Sequence, residues 1–245
     1  MDDAGDGQKL KSHSKLSLRS GFLYLAATML AQVFSLLRVA FIPSFLAPAQ
    51  LGQWNLLNII FGYGANSHLG FLHGMNKEYP PLMIQGKTED AIKLRDSVYW
   101  VCLILGLIAS VISVAVGIVN VPENVSGSVV LAFAILMQSI FIYFFCLLRV
   151  EGRFQEIGGT IALSAAFGTA LILLGMAVAK NSVTGGMIGL AVSQFLSAYF
   201  VYRRSKLKPL RILDLKILAK SFKIGLPILL VGFIDMLFLT VDRWL

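Results

Sequence analysis

The sequence predicts an all-α, polytopic transmembrane helix bundle of about seven spans: a six-helix N-terminal lobe followed by the first helix of a second lobe. Three observations carry this expectation. Hydrophobic residues make up 57% of the 245 residues and charged residues only 14%, where a soluble domain carries about 25% charged. Seven segments reach or approach the ~20 apolar residues that a spanning helix needs. Lys and Arg then fall almost wholly into alternate connections, the pattern that sets orientation in a bilayer.

The expected spans lie near Ser20–Phe41, Trp54–Leu72, Val98–Val119, Val129–Leu148, Thr160–Ala179, Gly186–Tyr202 and Phe222–Val241. The second is the least apolar, because it holds Asn55, Asn58, Gly62, Gly64, Asn66 and His68. Turn chemistry separates the spans at Ala47-Pro48-Ala49, Pro80-Pro81, Asn120-Val121-Pro122 and Thr184-Gly185-Gly186. No sustained period-2 alternation marks strands. Thr88-Glu89-Asp90 reads as a helix start, with acids in the first turn, that runs on into the third span.

Basic residues give the topology. The N-terminal segment carries Lys9, Lys11, Lys15 and Arg19. The second connection carries Lys77, Lys87, Lys93 and Arg95. The fourth carries Arg149 and Arg153, and the sixth carries eight Lys and Arg from Arg203 to Lys223. The intervening connections carry Lys180 alone, so the balance is eighteen against one. The N-terminus is therefore expected in the cytoplasm, with anionic membrane lipids as contacts for the basic side. The net charge of +8 is read as this topology signal, and no nucleic-acid partner is expected. The first apolar run is too long for the hydrophobic core of a signal peptide. Cys102 and Cys146 both sit in apolar runs, which speaks against a disulfide framework or a zinc site. No metal or cofactor is expected.

The chain divides into a polar cytoplasmic tail (1–19), the six-helix lobe (20–202), a basic cytoplasmic connection (203–221) and the opening helix of the second lobe (222–245). A weak internal repeat supports the last boundary. Shifted by 205 positions, Lys220, Gly225 and Arg243 fall on Lys15, Ser20 and Arg38. Repeated halves are common among transporters. The chain is accordingly expected to be a truncated form that ends one helix into its second lobe.

Polar residues inside a bilayer are costly and need a reason. Thr28, Gln32, Ser35 and Arg38 fall within about 120° of one face of the first helix. Asn55, Asn58, Gly62 and Asn66 fall within about 80° on the second. Two such stripes suit either a wet cavity or helix–helix packing through small and amide side chains. Arg38 is either a residue reaching the headgroups or a fixed cation able to grip phosphate bidentately, with Arg243 as its counterpart. Asp235, near the middle of the seventh span, is either an ion-coupling carboxylate or one half of a buried pair.

Soluble-enzyme signals fail. Gly86-Lys87-Thr88 resembles the end of a phosphate-binding loop, but Pro81 stands where that loop needs glycine. There is no Gly-x-Ser-x-Gly elbow. His68 and His73 are five apart, a poor same-face spacing for a shared metal.

Leu51-Gly52-Gln53-Trp54-Asn55-Leu56-Leu57, followed by the block His68-Leu69-Gly70-Phe71-Leu72-His73-Gly74-Met75-Asn76-Lys77-Glu78, resembles the second-helix region of a known family. These are the polysaccharide-biosynthesis membrane proteins, the O-antigen and capsule repeat-unit flippases of the multidrug/oligosaccharidyl-lipid/polysaccharide exporter superfamily. Gly225-x-Pro227 with Asp242-Arg243 resembles the family's seventh helix. His68 departs from the acidic residue that many relatives carry there. The chain also departs in holding one lobe plus one helix where relatives have two lobes.

The resemblance implies a flippase of the bacterial cytoplasmic membrane. It would move an undecaprenyl-pyrophosphate-linked oligosaccharide outward for surface polysaccharide, with H⁺ or Na⁺ counter-transport as the drive. Arg38 and Arg243 would bind the anionic headgroup, Gln32, Asn58 and Asn66 would line the cavity, and Asp235 would couple the ion. A second lobe or a homodimer would complete the cavity. The rivals are a drug/cation antiporter of the same superfamily, a membrane-embedded polysaccharide-assembly enzyme and an inactive half-protein. Short outer connections argue against an enzyme.

Overall fold

The computed structural model describes residues 3–179, 182–207 and 212–240. The described residues form helices and connections with no strand. The helices are α1 (Asp3–Phe45), α2 (Pro48–Ala65), α3 (Phe71–Ile84), α4 (Thr88–Asn120), α5 (Val125–Val150), α6 (Phe154–Val178), α7 (Val183–Ser205) and α8 (Leu215–Thr240), with a 3₁₀ turn at Pro122–Asn124. Among the described residues, six helices are long and apolar enough to cross a membrane: all but α2 and α3. Their outward faces carry exposed apolar side chains such as Phe22, Leu36, Val111, Leu174 and Phe238. In a chain this apolar, lipid is the solvent for those faces. The protein is an all-α, multi-pass membrane bundle.

The expected second span, Trp54–Leu72, is two helices. α2 ends at Ala65, and the chain turns through 66–70 before α3 begins. Leu69 and Gly70 take positive φ values of 45° and 86°, a conformation that glycine adopts freely and that a continuous helix excludes. The expected turn at Pro80-Pro81 is instead the interior of α3. The break lies before α3, and the two prolines sit in a helix already under way, where each removes a backbone donor. α4 does start at Thr88 with Glu89 and Asp90 in its first turn, although Thr88 makes no capping bond. α1 begins at Asp3, so the residues expected as a polar tail continue the first helix.

Close helix contacts rest on small residues. Gly106 faces Ser139 and Gly117 faces Ser128 between the antiparallel α4 and α5. Gly175 and Gly185 put the α6 and α7 backbones in direct contact. Without a hydrophobic drive between helices in lipid, such packing is a main source of association. At one end of the bundle, Asn124 caps α5 by accepting from the Gly127 N–H and also accepts from the Thr184 hydroxyl at 2.7 Å. This ties the starts of α5 and α7. A core of Trp54, Leu57, Leu131, Ile135, Met176 and Met187 fills that end, and one of Leu72, Met75, Leu94, Tyr143, Phe144 and Val201 fills the basic end.

Candidate functional site

Arg38 lies on the half-buried stripe of α1 that includes Tyr24, Ala31, Phe34 and Ile42. This stripe packs on α6, where the Thr169 hydroxyl donates to the Phe34 carbonyl at 3.0 Å. Among the described residues Arg38 makes no ion pair and no hydrogen bond. Gln32 sits about 120° away around the helix and is exposed. Thr28 turns its hydroxyl onto the Tyr24 carbonyl. Of the expected α1 stripe, Ser35 and Arg38 therefore share the packed face and Gln32 leaves it.

The amides of α2 turn inward on their own helix. Asn58 donates to the Trp54 carbonyl at 2.8 Å and Asn66 donates to the Gly62 carbonyl at 3.1 Å. Satisfying an amide within its own helix is the inexpensive solution in lipid. Asn66 also borders a cavity of about 430 Å³ between α2, α4 and α8, walled by Ile59, Tyr63, Ile108, Ile112 and Phe233. Neither Arg38, Gln32 nor Asn58 borders it. The polar stripes of α1 and α2 thus do not meet across this cavity.

α8 crosses α3 at very short range. Gly74 packs on Ser221, Gly70 packs on Gly225, and a Cβ on any of the three glycines would strike backbone. The Ser221 hydroxyl donates to the Phe71 carbonyl at 3.4 Å. One turn toward the basic end, Lys220 Nζ meets Glu78 Oε1 at 2.6 Å. The Glu78 side chain is 9% exposed and that of Lys220 71%. At the turn itself, His68 is 5% exposed. Its Nδ1 accepts from the Gly70 N–H at 3.3 Å. Its ring meets the half-buried His73 ring edge to face at 5.3 Å.

A second polar cluster ties the basic ends of α6 and α7. Arg153 forks onto Glu156 through Nε and Nη2 at 2.8 and 2.7 Å and reaches Glu151 at 3.3 Å. It also donates to the carbonyls of Arg204 and Ser205. Burial opposes its charge, but the Glu156 and Glu151 carboxylates outweigh that and hold Arg153 above its ordinary pKa. Arg95 pairs with the fully buried Asp96 at 2.7 Å. The neighbouring Ser97 hydroxyl accepts from the Asp214 N–H and so anchors the connection before α8.

Asp235 is exposed on α8, ten residues past Gly225. Arg243 and Asp242 lie outside the described residues. The sequence reading did not foresee the His68–His73 contact, the Glu78–Lys220 pair or the Arg153 clasp. The signal for the first was Gly70, a residue able to fold the chain back between the two imidazoles.

A family model described as "Polysaccharide biosynthesis protein" matches residues 79–245, well over half of the chain. No curated protein and no solved structure matches it.

Proposed function

Because this chain belongs to the polysaccharide biosynthesis protein family and is a multi-pass membrane protein, we propose that it is a flippase. Its substrate is an undecaprenyl-pyrophosphate-linked oligosaccharide destined for surface polysaccharide. It works in the bacterial cytoplasmic membrane with its N-terminus in the cytoplasm. Arg38 supports the reading best: it is a half-buried arginine in a spanning helix with no partner among the described residues. A charge placed there is costly without compensation. The pyrophosphate of the lipid carrier supplies that compensation through a bidentate contact. Arg243 adds a second cation, and the amides of Asn58 and Asn66 mark the neighbouring helix. Gln32 contributes on the lipid-facing side of α1. A second lobe or second copy closes the path, and H⁺ or Na⁺ drives it.

The test is flipping in proteoliposomes. The probe is undecaprenyl pyrophosphate carrying a short fluorescent oligosaccharide, and a membrane-impermeant quencher reports the outer leaflet. The protein is expected to bring the inner-leaflet pool to the quencher. A protein that leaves that pool untouched but exchanges a cationic dye for protons would be a drug/cation antiporter instead.

A further inference from the structure

We propose that the His68–His73 pair at the α2–α3 turn binds the coupling proton, and that protonation of His68 loosens the contact between α3 and α8. The proposal rests on the flippase reading only in assigning that movement to transport.

His68 Nδ1 accepts from the Gly70 N–H at 3.3 Å. An imidazole nitrogen that accepts carries no proton, so His68 is held as the neutral Nε2–H form. A proton added at Nδ1 makes it a donor facing a donor, and the bond to Gly70 is lost. That bond steadies the segment where Leu69 and Gly70 take positive φ. It does so as an aspartate or asparagine side chain does when it accepts from the N–H two residues on. Gly70 is also the residue whose backbone touches Gly225 of α8. The proton-sensitive bond and a close backbone contact with α8 therefore share one residue.

The surroundings suit a proton. His73 stands edge to face with His68 and is half-buried, so it links the buried ring to the more open side. The Asn76 side-chain oxygen, one turn further along α3, is buried without a hydrogen-bond partner. It is an acceptor on the same helix as His73, at the i+3 spacing that places side chains side by side. Of the charged and titratable groups nearby, α3 carries Lys77, Glu78 and Tyr79. α4 presents Arg95 and Asp96, paired to one another. α5 presents Tyr143, Cys146 and Arg149, of which Arg149 lies within electrostatic reach of His73. α8 presents Lys220, paired to Glu78, and Lys223, with Asp235 further along. α2 carries no charged residue. No carboxylate among these contacts the two imidazoles, so a positive charge on both rings at once is unfavourable.

The experiment measures the α3–α8 distance directly. Spin labels are placed at Lys77→Cys and Val231→Cys, both exposed, in the full-length chain in lipid nanodiscs. Double electron–electron resonance is recorded between about pH 8 and pH 3.5, because burial and the neighbouring His73 push the His68 imidazole down to about 4. The distance distribution is expected to shift as pH falls. His68→Asn, which keeps an acceptor for Gly70 but takes up no proton, is expected to remove the shift. Asp235→Asn is expected to leave it in place. A wild-type distribution that stays constant overturns the proposal, as does a shift that survives His68→Asn or disappears with Asp235→Asn. If His68→Asn does not reach the membrane, His73→Gln is used. Removing the competing imidazole should then move the midpoint upward, and an unmoved midpoint counts against the pair. None of these readings depends on flipping, so a failure of the flippase assignment is scored separately.

Discussion

Arg153 and Arg204, fifty-one residues apart, each bind the backbone of the other's helix. Arg153 donates to the Arg204 and Ser205 carbonyls at the end of α7. Arg204 donates to the Glu156 carbonyl and the Thr160 hydroxyl on the first turns of α6, at 3.1 and 3.2 Å. A cation at a helix C-terminus meets the negative end of its dipole and satisfies carbonyls that lack an intrahelical donor. Glu156 completes the cluster by holding the Arg153 fork.

Arg153→Ala removes the ion pair and the cap together. The expected cost is about 1–3 kcal/mol, reduced by the partial exposure of the pair. Arg153→Lys keeps the charge but not the planar fork, so it should recover only part of the loss. Thermal unfolding in detergent, followed by size exclusion, checks the order wild type, Lys, Ala. Equal midpoints for Lys and wild type would reduce the clasp to simple charge.

The Glu78–Lys220 pair is lopsided in exposure, and its mutants should be lopsided too. Lys220→Met leaves a buried carboxylate unpaired, at an expected cost of about 1–3 kcal/mol. Glu78→Gln leaves only an exposed ammonium, which water solvates, and should cost less. The double variant should fall closer to Glu78→Gln than the sum of the two. A double-mutant cycle on unfolding midpoints measures this, and additive effects would mean that the pair contributes nothing.

Glycines in α3 and α8 differ in what surrounds them. Gly74→Ala places a methyl against Ser221, and Gly225→Ala places one against the Gly70 carbonyl. Each should cost about 1–3 kcal/mol by forcing the helices apart. Gly232 has nothing within 4 Å, so Gly232→Ala should stabilise by up to about 1 kcal/mol through helix propensity. The same unfolding series separates the two signs.

On α1, Arg38→Ala should abolish export while the protein still inserts, and Arg38→Lys should retain a fraction. Gln32→Ala should have the smaller effect, because Gln32 lies on the exposed side of the helix. Surface polysaccharide and the proteoliposome assay both report this. Normal export by Arg38→Ala would remove that residue from the headgroup site.

The polar residues were legible as individuals and not as a group. Arg38 and the α2 asparagines stand out in any apolar helix, because each is expensive there. Helical periodicity put Gln32 and Arg38 at opposite edges of one stripe, and the packed face of α1 takes in Arg38 and excludes Gln32. Asn58 and Asn66 showed the right spacing, but their amides close on Trp54 and Gly62, a choice made by local geometry.

What the sequence by itself determined is the solvent and the class. Apolar runs of spanning length, separated by basic and non-basic connections in turn, admit an all-α membrane bundle, because only a helix satisfies its own backbone in lipid. The start of α4 at Thr88 was equally plain, since its acids stand where a helix dipole wants them. Only the tertiary structure decided which faces meet. His68 and His73 would lie about 140° apart on a continuous helix, and the positive-φ turn at Gly70 brings their rings together. Glu78 finds Lys220, and Arg153 finds Arg204, across long stretches of intervening chain. Such pairings depend on which small residues let which helices approach, and periodicity along one helix carries no information about its neighbour.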